Sequence, residues 1–273
     1  MPFVIDIDPV AISLLGLQIR WYGLILVVAS GAAFWIASRE AARRGVVPEL
    51  VGDAVIWVAV AALIGGRALY LLQNELGMLG RDPLHAFMVW QGGLSFYGGL
   101  IVGLVALVIF ARRRGLPTLL ALDLAALAAA LGQAIGHLGC LIGGDSYGIP
   151  TDLPWGVVYR NPGAMAPLNV PLQPTQAYES LGLLILFAVL WRWRVPLERR
   201  GVGVLAGLYL VGLAALRFGL FFLRDEPPVL LGLKTAQLLG LAIGVTGLVV
   251  LAVAAHRSAT ARASTLSLEA IES

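Results

Sequence analysis

The chain has 273 residues, of which 59% are hydrophobic and only 13% are charged. A soluble globular domain carries about 25% charged residues, so this composition excludes a water-soluble enzyme and a disordered chain. The single cysteine excludes a disulfide scaffold. The composition therefore predicts an all-α polytopic membrane protein, because helices satisfy their own backbone hydrogen bonds inside a bilayer.

Seven apolar runs are each about 20 residues long, which is the length of helix that crosses about 30 Å of hydrocarbon. They lie at 20–38, 51–72, 92–111, 119–142, 177–194, 203–223 and 235–255. We expect one domain over residues 1–257 and a flexible tail over 258–273. The outer loops of this domain are expected at about 73–91 and 143–176.

The basic residues are distributed unequally between the two sides of these spans. Twelve lie on the side that includes the C-terminus and five on the other, with Arg67 and Arg217 inside spans. Because basic loops stay in the cytoplasm, we predict an outside N-terminus, a cytoplasmic C-terminal tail and an odd number of spans. The net charge of +3 is then mostly a topology signal, and no nucleic-acid partner is expected.

Charged or titratable side chains inside the apolar runs are the main candidates for function, because a charge in hydrocarbon is costly. They are Arg67, Asp123, His137, Glu179 and Arg217. The predicted topology places all of them except Asp123 in the outer half of the membrane. Two permanent guanidinium charges need carboxylates or an anionic ligand, and Glu179 is able to pair with one of them. We favour a phosphate-ester site open to the outer leaflet; the alternative is a structural Arg–Glu clamp between helices.

The long loop between the fourth and fifth spans adds a second signal. Residues 143–156 read Gly-Gly-Asp-Ser-Tyr-Gly-Ile-Pro-Thr-Asp-Leu-Pro-Trp-Gly. A loop of this length without obvious structure is usually functional, although a plain surface connector is the alternative. Trp155 and Tyr159 are suited to the membrane interface.

A third signal lies at the start of the third span, where residues 90–99 read Trp-Gln-Gly-Gly-Leu-Ser-Phe-Tyr-Gly-Gly. The paired glycines permit tight helix contact or a broken helix start. Tyr97 is either a site residue or an interface tyrosine. No metal-ligand cluster and no phosphate-binding loop motif is evident, so we expect neither metal nor cofactor.

In their order and spacing these motifs resemble the prolipoprotein diacylglyceryl transferase family, from about Ile19 to the end of the seventh span. The motifs are Ile-Arg-Trp-Tyr-Gly-Leu (19–24), Gly-Gly-Arg-x-x-Tyr (65–70), residues 90–99, Gly-His-Leu-Gly-Cys-Leu-Ile-Gly-Gly-Asp-Ser-Tyr-Gly (136–148), Pro-Trp-Gly (154–156), Gln-Pro-Thr-Gln-Ala-Tyr-Glu (173–179), and Arg217 with Arg224.

The resemblance implies a reaction, a fold and a location. The family moves the diacylglyceryl group of phosphatidylglycerol onto the lipobox cysteine thiol of a prolipoprotein and releases glycerol phosphate without a metal. This is the first step of bacterial lipoprotein maturation. The implied fold is a seven-span body with a small periplasmic head in the bacterial cytoplasmic (inner) membrane. The implied partners are phosphatidylglycerol, other membrane lipids and prolipoprotein signal peptides.

Matching the motifs position by position yields the expected site. Catalytic roles are expected for Tyr97, His137 and Arg217. Substrate-binding roles are expected for Tyr22, Arg67, Ser95, Asp145, Gly148, Gln176, Tyr178, Glu179 and Arg224.

The chain departs from the family pattern at several matched positions: Tyr97 (often His), His137 (usually Arg), Cys140 (Asn), Asp145 (Glu), Gln173 (His), Leu213 (Tyr) and Phe221 (Glu). A phenol is a poor base at neutral pH, whereas histidine titrates there. We hypothesise that His137 takes over thiol deprotonation or phosphate contact. Tyr97 would then orient substrate, and Arg67 with Arg217 would hold the phosphate.

Two alternatives remain open. One is a transferase that uses another lipid or acceptor. The other is a catalytically altered lipid-binding or transport protein on the same scaffold. A transporter is expected to show inverted halves and charges near mid-membrane, whereas the polar groups here cluster towards the outer face. This favours an enzyme.

Overall fold

The computed structural model describes residues 2–14, 17–79, 82–88 and 93–272. Within these ranges the helices are α1 (Trp21–Arg43), α2 (Pro48–Asn74), α3 (Leu76–Leu79), α4 (Phe96–Arg113), α5 (Thr118–Gly143), α6 (Thr175–Glu198), α7 (Val204–Leu220) and α8 (Thr235–Glu272). The strands are β1 (Phe3–Ile5), β2 (Val10–Leu14), β3 (Leu17–Arg20), β4 (Val157–Tyr159) and β5 (Pro171–Leu172). Two 3-10 helices lie at Pro83–Phe87 and Phe221–Leu223.

Six helices of the described chain are long and apolar enough to cross a membrane: α1, α2, α5, α6, α7 with the 3-10 helix that follows it, and the first part of α8. The prediction of a polytopic helical membrane protein is therefore confirmed. The third predicted span, 92–111, corresponds to α4, which has 18 residues, and residues 90–92 of its entry motif lie outside the described residues. The count of seven spans stays a prediction.

The observed helices match the predicted spans closely. Apart from the C-terminal end of α8, the ends of the helices differ from the ends of the predicted spans by at most five residues. This largest difference is at α1, which ends at Arg43 and not at position 38. The turn between α1 and α2 shows why the first helix ends and the second begins here. Gly45 adopts a left-handed φ of 73°, and Pro48 begins the next helix, the usual order of helix-ending glycine and helix-starting proline.

The last helix continues well beyond its predicted span. α8 runs to Glu272, so the backbone of the predicted tail is helical. That the tail is flexible and cytoplasmic stays a prediction.

The chain divides into two compact units, and the first contains the described residues up to 36 and from 123 onward. Within it, β1 pairs in parallel with β4, and β4 pairs antiparallel with β5. We call these three strands the loop sheet. The loop between α5 and α6 is therefore structured, contrary to the expectation that it has no obvious structure. β2 and β3 form a separate antiparallel pair.

Asp123, one of the in-membrane charges, serves as the cap of a helix in this unit. The side chain is 0% exposed, and Oδ2 and Oδ1 accept the backbone N–H groups of Gly203 and Ala206, each at 2.9 Å. These donors lie at the start of α7, where N–H groups have no partner within the helix. Asp123 is thus explained by the fold.

The second unit covers residues 37–122, and its main contact is the packing of α2 against α4. A Cβ atom built at Gly98 would clash with the Gly65 carbonyl oxygen, and one built at Gly65 would lie 2.5 Å from the Gly98 carbonyl oxygen. This close approach requires glycine, and it confirms for Gly98 that the paired glycines permit tight helix contact.

Candidate active site

Glu179 is the centre of a buried ion-pair cluster in the first unit. It lies near the start of α6, and its side chain is 1% exposed. Arg217, in the last turn of α7, donates from Nε to Glu179 Oε1 at 2.8 Å. Arg224 donates from Nη2 to Oε2 at 2.6 Å. The expectation that Glu179 pairs with an in-membrane arginine is therefore confirmed for Arg217. Such charge-assisted hydrogen bonds are roughly twice as strong as neutral ones.

His137 joins this cluster from α5. Its Nε2 lies 3.4 Å from Glu179 Oε1, and 12% of its side chain is exposed. Two buried nitrogen atoms of the cluster, His137 Nδ1 and Arg224 Nε, have no hydrogen-bond partner within the part of the chain that the structure describes. A buried polar group without a partner is costly, so these two atoms are the candidate ligand-contacting groups of the cluster.

Phe221 lies against both guanidinium groups. Its ring centroid is 4.7 Å from Cζ of Arg224 and 6.0 Å from Cζ of Arg217, so both cations contact the ring by cation–π attraction. The ring is almost fully buried. It stabilises the two positive charges without neutralising either of them, which leaves Glu179 as the shared counterion.

Gly148 lies where the loop after α5 crosses the chain beyond α7. It forms an antiparallel bridge with Arg224, and Ile149 donates its N–H to the Leu223 carbonyl at 2.9 Å. A Cβ at Gly148 would lie 2.5 Å from Gln173 Cβ and 2.7 Å from the Leu223 oxygen. Glycine is therefore required for this crossing, which fixes the backbone next to Arg224. A direct role of Gly148 in substrate binding stays a prediction.

Gln176 and Tyr178 tie the start of α6 to the loop before it. Gln176 is almost fully buried and donates from Nε2 to the Asp145 carbonyl at 2.7 Å. The Tyr178 hydroxyl donates to Gln173 Oε1 at 3.0 Å and accepts from Trp155 Nε1 at 2.7 Å. Asp145 itself is exposed. These contacts show structural tasks, while substrate binding by Asp145, Gln176 and Tyr178 stays a prediction.

Tyr159 is placed differently from the expectation. It is 1% exposed in the core of the loop sheet, and its hydroxyl donates to the Leu141 carbonyl at 2.8 Å. The membrane-interface prediction is therefore wrong for this residue, because its ring is used to pack the sheet. Burial raises the pKa of the Tyr159 phenol above its ordinary value.

Arg67 lies in the second unit and organises the loop after α2. It is 5% exposed, and its Nη2, Nε and Nη1 donate to the carbonyls of His85, Ala86 and Gly93 at 2.6, 3.1 and 3.2 Å. The same loop carries an ion pair between His85 Nε2 and Glu75 Oε2 at 2.8 Å. Backbone carbonyls are thus direct partners of this in-membrane arginine, and phosphate binding by Arg67 stays a prediction.

Ser95, Tyr97 and Tyr22 are the remaining expected site residues. Ser95 caps α4, since its Oγ accepts the Gly98 N–H at 3.5 Å. Tyr97 is half-buried in the first turn of that helix. In the first unit, Tyr22 is exposed on α1 and packs against Gly139, where a Cβ would lie 3.1 Å from Tyr22 Cδ2. Their roles with substrate stay predictions.

Sequence reasoning missed a polar contact inside the first unit. Gln133 Nε2 on α5 donates to the Tyr209 hydroxyl on α7 at 2.8 Å, and Tyr209 is buried. Gln133 is an uncharged polar residue in an apolar run, and such a residue is itself a signal of a buried polar contact. Lys234 and Gln237, which contact the end of α7, were also missed.

The fold and this cluster define a polytopic helical membrane protein with a buried carboxylate shared by two arginines. The sequence profile of the prolipoprotein diacylglyceryl transferase family matches residues 9–253. The chain belongs to this family, as the sequence motifs predicted.

Individual relatives support this assignment over most of the chain. Three of them carry the name phosphatidylglycerol–prolipoprotein diacylglyceryl transferase. The protein of Chromohalobacter salexigens is 39% identical over 226 residues, which cover 82% of each chain. That of Methylococcus capsulatus is 37% identical over 267 residues, 93% of this chain and 98% of the relative. That of Pseudoalteromonas atlantica is 34% identical over 263 residues, 93% and 91% respectively.

Proposed function

We propose that this chain transfers the diacylglyceryl group of phosphatidylglycerol to the lipobox cysteine of a prolipoprotein and releases glycerol phosphate. The observation that carries the proposal is the Glu179 cluster, in which one buried carboxylate is shared by two permanent cations. Next to it, two buried nitrogen atoms are without partners among the described residues. A cationic, partly desolvated site of this kind suits the phosphate of an anionic lipid.

The arginines would act on the leaving group. When the bond between the glycerol carbon and the phosphate oxygen breaks, negative charge accumulates on the departing glycerol phosphate. Arg224, which contacts Glu179 through Nη2, has its buried Nε without a partner in the described part of the chain, and this N–H is suited to donate to a phosphate oxygen. Fixed donors in a low-dielectric site stabilise such charge without reorganising during the reaction.

His137 would act on the attacking sulfur. Glu179 lies on the Nε2 side of the ring, so the tautomer with the proton on Nε2 leaves a lone pair on Nδ1. Nδ1 would take the thiol proton while the sulfur forms its bond to the glycerol carbon. The thiol is thus converted to a thioether, the carbon–oxygen bond breaks, and the imidazole holds the proton. This role suits a chain with tyrosine at position 97, since a phenol is a weaker base at neutral pH.

For the topology we propose seven spans with the N-terminus outside and the site at the outer end, in the cytoplasmic membrane of a bacterium. The unequal distribution of basic residues supports this orientation. The parallel pairing of β1 with β4 supports the span count instead. It requires the N-terminal strand and the loop after α5 to lie on one side of the membrane, and therefore an even number of spans between them, which α1, α2, α4 and α5 provide. The loop sheet would then belong to the periplasmic head.

The test is a reaction with defined components. The purified protein is incubated with phosphatidylglycerol vesicles and a lipobox peptide, and mass spectrometry is used to detect the diacylglyceryl thioether and free glycerol phosphate. We expect both products, and neither when the peptide cysteine is replaced by serine. Absence of product, or product only with another lipid such as phosphatidylethanolamine, would reject the assignment. Arg224→Gln is expected to lower the rate by about 100-fold or more.

A further inference from the structure

Lys234 is the single lysine of the chain, whereas the other 18 basic residues are arginines. It immediately precedes α8 and is half-buried. Its Nζ donates to the Phe221 carbonyl at 2.7 Å and also to the Arg224 carbonyl. An ammonium group is a compact charge with three donors, so it can bond carbonyls that diverge in direction, which the planar guanidinium fork does less well.

Gln237 completes the contact from the first turn of α8. It is 0% exposed; its Oε1 accepts the Lys234 N–H at 2.9 Å, and its Nε2 donates to the Phe218 carbonyl at 3.1 Å. The last carbonyls of a helix have no partner within it. The start of α8 therefore supplies hydrogen-bond donors for the carbonyls at the end of α7. The positive charge of the lysine is also stabilised by the negative, C-terminal end of the α7 dipole.

The segment held in this way carries Arg224. On its other side, the loop after α5 bonds the same backbone, with Ile149 N–H on the Leu223 carbonyl at 2.9 Å. Arg224 is thereby fixed between two elements, and its Nη2 reaches Glu179 at 2.6 Å. A hydrogen bond of this length is lost when the backbone shifts by about 1 Å, and misplacement of that size in a catalytic site can cost about 100-fold in rate.

We propose that Lys234 is a positioning residue, which holds the backbone of Arg224 so that its guanidinium group faces the phosphate of the lipid. This inference rests on the proposed function, because it assigns Arg224 to the lipid phosphate. Lys234 contacts neither the lipid nor the acceptor thiol in this proposal; it acts through the carbonyls of Phe221 and Arg224.

The test compares Lys234→Met and Lys234→Arg with the wild type. Arg160→Met is the matched control, because it removes one basic residue from an exposed position of the loop after β4. We expect Lys234→Met to raise the KM for phosphatidylglycerol at least tenfold, while the KM for the lipobox peptide stays within twofold. The lipid KM of Lys234→Arg should lie between those of the wild type and Lys234→Met. Arg160→Met should change neither KM by more than twofold.

Hydrogen–deuterium exchange separates this inference from the proposed function. In Lys234→Met, backbone amides over residues 218–226 are expected to exchange at least tenfold faster than in the wild type, without any substrate present. An unchanged lipid KM in an active variant overturns the inference, as does an equal loss on both substrates together with lower thermal stability. If the wild type forms no product while exchange still rises in the variant, the proposed function fails and Lys234 remains a backbone clamp without a lipid role.

Discussion

Arg217 and Arg224 bind opposite oxygens of one carboxylate, that of Glu179, at 2.8 and 2.6 Å. Both come from the end of α7 and the turn beyond it, so two guanidinium groups leave one chain segment and converge on a single acceptor. In a low-dielectric surrounding this arrangement is strongly coupled, because each ion pair is stable only while the shared carboxylate is ionised. The cluster is therefore expected to respond as a unit to any change at Glu179.

Replacement of Glu179 by glutamine is expected to destabilise the protein and to abolish transfer. Glu179→Gln retains the shape of the side chain but removes the charge that both arginines share. Breaking a buried ion pair by removing one partner costs about 3–5 kcal/mol. We expect a large fall in the free energy of unfolding, measured by denaturant titration in detergent, and less than about 1% of wild-type product.

Glu226 provides the matched control for this change. Its Oε1 lies 3.9 Å from Arg224 Nη1, and 41% of its side chain is exposed. An exposed pair is worth about 0–1 kcal/mol, so Glu226→Gln is expected to leave both stability and activity close to wild type. Similar losses for the two variants would show that overall charge, rather than the buried geometry, governs the cluster.

Replacement of His137 is expected to remove the base that takes the thiol proton. Loss of a general base lowers the rate by about 100- to 10,000-fold, so His137→Gln and His137→Ala should both be slow. Full activity of purified His137→Ala would contradict the assigned role.

Gly148→Ala is expected to disturb the site through the backbone. The new Cβ would lie 2.5 Å from Gln173 Cβ and 2.7 Å from the Leu223 oxygen, so the crossing strand must shift next to Arg224. Such overpacking costs about 1–3 kcal/mol, and kcat/KM for the lipid should fall with it. Gly143→Ala, at the last residue of α5, is the control, since nothing lies within 4 Å of its added Cβ; an equal loss there would argue against a local steric effect.

Asp123→Ala is expected to lower stability with little effect on the rate of the folded enzyme. The side chain accepts two N–H groups at the start of α7, and loss of such a cap costs about 0.5–2 kcal/mol. Thermal unfolding and specific activity per folded protein measure the two effects separately. Asp123→Asn keeps an acceptor and should lose less stability. A strong fall in specific activity for Asp123→Ala would show that this end of α7 also controls catalysis.

The membrane helices were predictable from the sequence because hydrophobicity over about 20 residues is a local signal. The in-membrane charges were visible for the same reason. Their partners were not visible, because pairing depends on the packing of distant segments. Glu179 was a possible partner of either Arg67 or Arg217. Only the structure shows it between Arg217 and Arg224, and shows Arg67 bonded to backbone carbonyls instead.

The loop sheet illustrates the other limit. Its strands have two or three residues each, too few for an alternating pattern to be read. Tyr159 was assigned by its residue type alone, and its burial in that sheet follows from pairing that no local rule contains. Lys234 carried a usable signal, as the single lysine among 19 basic residues, but its two carbonyl partners could not be inferred from spacing.

The pairing of β1 with β4 also determines when the loop sheet can form during synthesis. Phe3 and its neighbour in the sheet, Val157, are separated by more than half of this sequence, so β1 is made well before β4. At about 5–20 residues per second, the ribosome needs roughly 8–30 s to produce the partner strand. Until then the first strand is an unpaired edge, although α1 to α5 have already been synthesised. The sheet beside the candidate active site therefore forms late, and interrupted synthesis would leave helices in the membrane without it.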